Sequence, residues 1–152
     1  MKTSISITRL KNTFLTLVTL MMIFSFGQCA AQAEFLSSSV VPGARGSVTV
    51  TKDKYNNYIV KLEVTYLVEA SRLTPPKNTY VVWMVTDKDA TVNIGQIRTS
   101  TSFLSKTLKA SLETKSSFKP VKIFLTAEYD PNLQNPSKEI VLTTDNFDLP
   151  KE

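Results

Sequence analysis

The stretch Tyr80-Val-Val-Trp-Met-Val-Thr-Asp87, the turn Lys88-Asp89-Ala90 and the run Thr91-Val-Asn-Ile-Gly-Gln-Ile-Arg-Thr99 decide how this chain folds. Two runs rich in β-branched residues, the first also carrying Tyr80 and Trp83, joined by a short polar turn make a β-hairpin. The first arm is apolar on both faces, which places it in the middle of a sheet rather than at its edge. Trp83, the only tryptophan, lies on this arm and reads as core. In the second arm Val92 and Ile94 share a face and Ile97 falls out of step with them. A β-bulge at Gly95-Gln96 would absorb the slip, because glycine tolerates the backbone required there.

Upstream, residues 46–51 form a strand, a polar turn follows at 52–57, and residues 58–67 alternate. Val60, Leu62, Val64 and Tyr66 point one way while Lys61, Glu63 and Thr65 point the other, the pattern of a half-buried antiparallel strand. Pro75 and Pro76 exclude residues 68–78 from any sheet interior, since each removes a ladder donor. That segment is a loop, crossing from one sheet to another. Downstream, residues 101–112 carry two patterns. Phe103, Leu104, Leu108 and Leu112 have a helical spacing, whereas Leu108, Ala110 and Leu112 alternate; the density of Ser and Thr and the absence of a helix cap favour a strand. Residues 113–120 read as a turn. Residues 121–128 alternate, with Val121, Ile123, Leu125 and Ala127 facing in; residues 129–137 have loop chemistry and 139–143 form the last strand. About seven strands without a long helix define an all-β fold, an antiparallel Greek-key β-sandwich that is immunoglobulin-like in general architecture.

The chain opens with three cations (Lys2, Arg9 and Lys11) and no acid, followed by an apolar run over 14–26. This run has the length of a signal-peptide hydrophobic region and is short of the roughly 20 residues a spanning helix needs. Small residues follow, and cleavage after Ala31 or after Ala33 fits. The expected organisation is a signal peptide over 1–33, a linker or N-terminal extension over 34–45, the sandwich over 46–145 and a polar tail over 146–152. The protein is then periplasmic or secreted. The alternative is a membrane-anchored lipoprotein, with Cys29 as the lipid acceptor; Gln28 is larger than the residue usual before such a cysteine. A membrane tether is expected only if Cys29 is lipidated.

Composition removes several classes of chemistry. The 152 residues include no histidine, so His-dependent nucleophile systems and His-ligated zinc or blue-copper sites are excluded. The single cysteine, Cys29, forms neither an internal disulfide nor a thiolate cluster. The formal charge of +5 owes three cations to the N-terminal segment. The remainder carries about +2 with both signs interspersed, which is no nucleic-acid footprint. No cofactor, metal or catalytic residue is expected.

Four groupings have the residue types of a site. Tyr66, Tyr80 and Trp83 would serve as an aromatic sugar platform, or as core. Asp87, Asp89 and Asn93 would offer oxygen ligands to calcium, or simply turn chemistry. Glu128 and Asp130 would be paired carboxylates of a glycosidase, a reading without a supporting cleft. Lys106, Lys109, Lys115, Lys119 and Lys122 would meet an anionic surface, or guard strand edges.

Five pieces in order resemble the extracytoplasmic C-terminal domain of anti-sigma-K factors. They are Ala44-Arg-Gly-Ser-Val48, Leu73-Thr-Pro-Pro-Lys-Asn-Thr-Tyr-Val-Val-Trp-Met-Val85, Asn93-Ile-Gly-Gln-Ile97, Phe124-Leu-Thr-Ala-Glu-Tyr-Asp-Pro131 and Asn135-Pro-Ser137. The sigma-binding segment of such factors is missing, the apolar run sits at the N-terminus, and the glycine pair usual after the Glu-Pro corner is absent. The resemblance implies a periplasmic or surface sandwich, with no catalytic residues to transfer and no direct control of a sigma factor. The expected role is non-enzymatic, a binding or accessory protein of the cell envelope with an unidentified protein partner. The loops over 68–78 and 129–137 carry the contacts, with Arg72, Lys77, Tyr129, Asn132 and Asn135 as binding residues. A small exported carbohydrate-binding module is the alternative.

Overall fold

A computed structural model describes residues 30–102 and 105–149, with the side chains of 100–107 excluded. Nine strands follow one another: β1 (Ala31–Glu34), β2 (Arg45–Lys52), β3 (Tyr58–Thr65), β4 (Thr79–Thr86), β5 (Thr91–Ile97), β6 (Ser100–Ser102), β7 (Ser105–Ser116), β8 (Pro120–Glu128) and β9 (Ile140–Thr143). A 3-10 turn, Ala70–Arg72, interrupts the β3–β4 connection. One sheet has the order β1-β2-β3-β7-β6 and the other β5-β4-β8-β9, with every pairing antiparallel. In immunoglobulin terms β2, β3, β7 and β6 take the places of strands A, B, E and D, and β5, β4, β8 and β9 those of C′, C, F and G. The all-β sandwich expected from the alternating runs is the fold observed.

The period of two places the core between the sheets. Val48 and Val50 from β2, Val60, Leu62 and Val64 from β3, and Tyr80, Val82 and Met84 from β4 meet Ile123, Leu125 and Ala127 from β8. The β4–β5 ladder slips between Val82 and Trp83, leaving Ile94 as the extra residue beside Gly95, whose φ is +135°. The expected bulge is therefore present one residue earlier than its predicted place.

Several local readings are corrected. Of the two readings of residues 34–45, a linker or an N-terminal extension, the packing fits an extension: Phe35, Val41 and Ala44 are buried. After β1 the chain crosses to the other sheet. The Phe35 amide donates to the Gly46 carbonyl at 2.9 Å, and the Leu36 amide to the Thr143 carbonyl at 2.8 Å. This crossing covers the outer edge of β9. The three residues Ala31 to Ala33, placed within the signal peptide, belong to β1 and pair with Val48, Thr49 and Val50. Strand β7 runs on to Ser116, through what read as a turn, because Glu113 to Ser116 continue in register with β3. Tyr66 does not follow Val64 into the core. Its φ of +57° turns it out of the strand, and it is exposed. Within the expected polar tail, Phe147 and Leu149 pack against the core, and the Phe147 amide donates to the Val121 carbonyl at 2.9 Å.

Candidate functional site

Strand β4 is apolar on both faces for two different reasons. Its even-numbered side chains fill the space between the sheets. Its odd-numbered side chains, Val81 and Trp83, join Phe124 in a second cluster on the outer face, with Val85 and Leu133 against it. The Trp83 and Phe124 rings stack, with centroids 6.4 Å apart. No third layer covers this face among the described residues; the connection between β8 and β9 folds across it instead. Trp83 is fully buried, as expected, but outside the inter-sheet core.

Polar contacts fasten this strap. Asn93 of β5 donates from Nδ2 to the carbonyls of Pro131 at 2.9 Å and Leu133 at 3.0 Å, and its Oδ1 accepts from the Gly95 amide. The Trp83 indole donates to Thr126 Oγ1 at 2.8 Å. The Thr126 hydroxyl donates in turn to Glu128 Oε1 at 2.6 Å, an oxygen that also accepts from the Ser137 amide at 2.9 Å. Where the strap leaves β8, Asn78 Nδ2 donates to the Tyr129 carbonyl at 2.9 Å, and Lys77 Nζ lies 4.1 Å from the Tyr129 ring centre. Held at both ends and at its centre, this loop covers the outer face.

The register brings residues 35–44, 66–78 and 129–139 to one end of the sandwich, since Arg45 lies opposite Thr65 and Thr79 opposite Glu128. Here an open groove of about 650 Å³ runs between residues 39–43 and 66–74. Val40, Val68, Leu73 and Tyr66 supply apolar surface, and Arg72 and Glu139 supply opposite charges. The Arg72 Nε lies 3.4 Å from Glu69 Oε2 in an exposed pair, leaving most of the guanidinium in water. A second groove, of about 610 Å³, follows β5 past Asn93 and Gln96 to Asn132 and Gln134 and is lined without a charged residue.

The five expected binding residues therefore do not form one site. Arg72 lines the loop-end groove, Lys77 and Tyr129 hold each other at the root of the strap, and Asn132 borders the groove along β5. Asn135 is exposed on the strap. Sequence reading grouped Tyr66 with Tyr80 and Trp83 instead of with this groove, and missed residues 39–43. The Pro42-Gly43 turn was visible as a break, but nothing local showed that it would face Leu73. The three aromatics weighed as a platform are separated: Tyr80 is core, Trp83 lies under the strap and Tyr66 is at the groove.

The other groupings disperse as well. Glu128 is buried and committed to Thr126 and Ser137, while exposed Asp130 accepts from the Asn132 amide at 2.9 Å. Asn93, considered as a calcium ligand, spends its amide on the strap and on Gly95. No group of three or more acidic or cysteine side chains suited to a metal occurs among the described residues. Lys109 and Lys115 lie on β7 and Lys122 on β8, in opposite sheets, so the lysine run makes no single face. No helix among the described residues is long and apolar enough to cross a membrane. Cys29 and residues 1–28 of the expected signal peptide lie outside the described residues.

The class defined by fold and site is an immunoglobulin-like β-sandwich with a strapped outer face and a loop-end groove. No family model, curated protein or solved structure matches this chain.

Proposed function

We propose that this chain is an exported, non-catalytic recognition domain of the cell envelope, binding a segment of a protein partner in the groove between residues 39–43 and 66–74. The observation that carries the reading is the pairing of apolar surface (Val40, Val68, Leu73 and Tyr66) with Arg72 and Glu139 in one open groove. Apolar side chains set beside one positive and one negative charge suit a peptide segment that offers both kinds of contact. The cationic, apolar N-terminus and the resemblance to the anti-sigma-K extracytoplasmic domain support the envelope setting. The strap is fastened, which favours the loops lining this groove as the recognition surface.

A carbohydrate-binding module is the second reading, favoured by one observation. The groove along β5 has no charged residue and presents Gln96, Asn132 and Gln134, and amide groups of this kind suit hydroxyl-rich ligands. The two readings separate in one experiment, in which the chain is presented to a displayed peptide library and to a glycan array. Peptides that bind wild type and are lost with Leu73→Asp or Arg72→Glu support the proposal. Glycans whose binding is lost with Asn132→Ala and Gln134→Ala support the second reading. Turnover of any glycan, removed by Glu128→Gln, contradicts both.

A further inference from the structure

The sheet edges are protected unequally. Among the described residues, β1 and β6 are short, with four and three residues. The edge of β9 is covered by the crossing at Phe35 and Leu36, and β5 carries the bulge at Ile94. Each is a recognised way of preventing strand addition. Among the described residues the lower half of β7 has none of these three, and its exposed edge charges, Glu113 and Lys115, are of opposite sign. It pairs with β3 through eight uninterrupted positions from Lys109 to Ser116, whereas β6 reaches only as far as Lys109 on its other side. It contains no proline and no bulge.

Its backbone direction follows from one hydrogen bond. The Tyr66 amide donates to the Leu108 carbonyl at 2.7 Å, so Leu108 and its even-numbered successors aim their backbone groups at β3. Ser111, Glu113 and Lys115 therefore aim theirs at the open edge, and their side chains are exposed on the outer face. We propose that this edge pairs antiparallel with the same edge of a second copy of this chain, about a twofold axis at Thr114.

Charge and pairing together select that register. Centring on Glu113 or on Lys115 sets like charges opposite each other. Centring on Ser111 or on Leu112 places Glu113 or Lys115 opposite the other copy's Lys109, whose outward backbone is already taken by Ser100, so these two registers are excluded by the pairing and not by charge. Centring on Thr114 puts Glu113 opposite Lys115 twice, both as hydrogen-bonded pairs, and sets Thr114 against its own copy as a non-hydrogen-bonded pair. The neighbours on the outer face are compatible. Lys61 stands across from Glu113 on β3 and already lies 3.3 Å from Glu63, while Lys115 lies 3.6 Å from Asp53. The contact is isologous and closes as a dimer, joining two five-stranded sheets into one of ten.

Sedimentation of the intact chain across a concentration series tests this. The wild type is expected to form a concentration-dependent dimer. Glu113→Lys should weaken it about tenfold or more, because two attractive cross-strand pairs become repulsive. The swap Glu113→Lys with Lys115→Glu should restore it. As a second readout, Thr114→Cys in a Cys29→Ser background should crosslink on oxidation, while Thr49→Cys should not. A wild type that stays monomeric to about 1 mM, far weaker than stable interfaces, overturns the proposal. So does a dimer indifferent to the charge reversal, or a monomer that takes up an extended peptide along this edge.

Discussion

Trp83 and Thr126 are joined by a 2.8 Å hydrogen bond on the face of the sheet turned away from the other layer. They sit on adjacent central strands, with the Thr126 hydroxyl acting as acceptor for the indole and donor to Glu128. Because Thr126 is fully buried, its loss would leave an indole N–H without its acceptor and Glu128 without one donor. Thr126→Val is expected to destabilise the fold by about 1–3 kcal/mol, with Thr126→Ser recovering most of it. Urea denaturation measures both.

Gly46 lies opposite Val64 where β2 meets β3. A Cβ there would fall on the Glu63 carbonyl oxygen and lie 2.9 Å from the Val64 Cα, and backbone cannot move aside cheaply. Gly46→Ala is expected to cost about 1–3 kcal/mol. Gly43→Ala, at a position with nothing within 4 Å, should change stability by less than about 0.5 kcal/mol. Equal effects in thermal or urea unfolding would contradict this account of the β2–β3 pairing.

Asp53 closes the β2–β3 turn, accepting from the Tyr55 amide at 2.8 Å and the Asn57 amide at 3.0 Å. The Asn57 amide foremost, then its side chain, Tyr55 and Lys115 hold the carboxyl below its ordinary value of 3.8, against an opposing effect of burial. A folded-state value below the unfolded one means that this stabilisation is complete above the ordinary carboxylate range. It is lost as pH falls through the lowered value. Asp53→Asn should therefore show a smaller loss of stability on acidification than wild type, measured by denaturation at stepped pH.

Tyr80 anchors the β3–β4 loop, its hydroxyl donating to the Val68 carbonyl at 2.9 Å. Burial pushes this phenol up to about 12. A folded-state value above the unfolded one gives stability that is complete below about pH 10 and lost as pH rises toward 12. Tyr80→Phe should lose about 1 kcal/mol at neutral pH through the missing hydrogen bond. It should also flatten the alkaline fall in stability seen in wild type.

Much of this architecture was legible because alternation is a local signal. Val60, Leu62 and Val64, or Ile123, Leu125 and Ala127, announce their strand and its buried face without reference to anything distant. Gly95 announced the bulge in the same way. The candidate site was less legible. Tyr66 continues the alternation of β3 perfectly in sequence, and only its positive φ takes it out to the groove. Residues 39–43 looked like a linker because Leu36 and Val41 find their partners far along the chain, on β9 and in the core. The doubly apolar pattern of β4 correctly required cover on both faces. It could not tell a second sheet from a strap, since Leu133 is a lone apolar residue in a polar loop.

The division of roles at the loop end, with residues 131–137 as structural cover and residues 39–43 and 66–74 as the recognition surface, is the central claim. Amide hydrogen exchange of the folded chain tests it most directly. The account predicts that the Ser137 amide, donated to buried Glu128, exchanges with protection approaching that of β4 and β8, whereas Ser71, an exposed residue beside the groove, exchanges rapidly. Exchange of Ser137 at the rate of an unstructured peptide, while β4 and β8 remain protected, would contradict it.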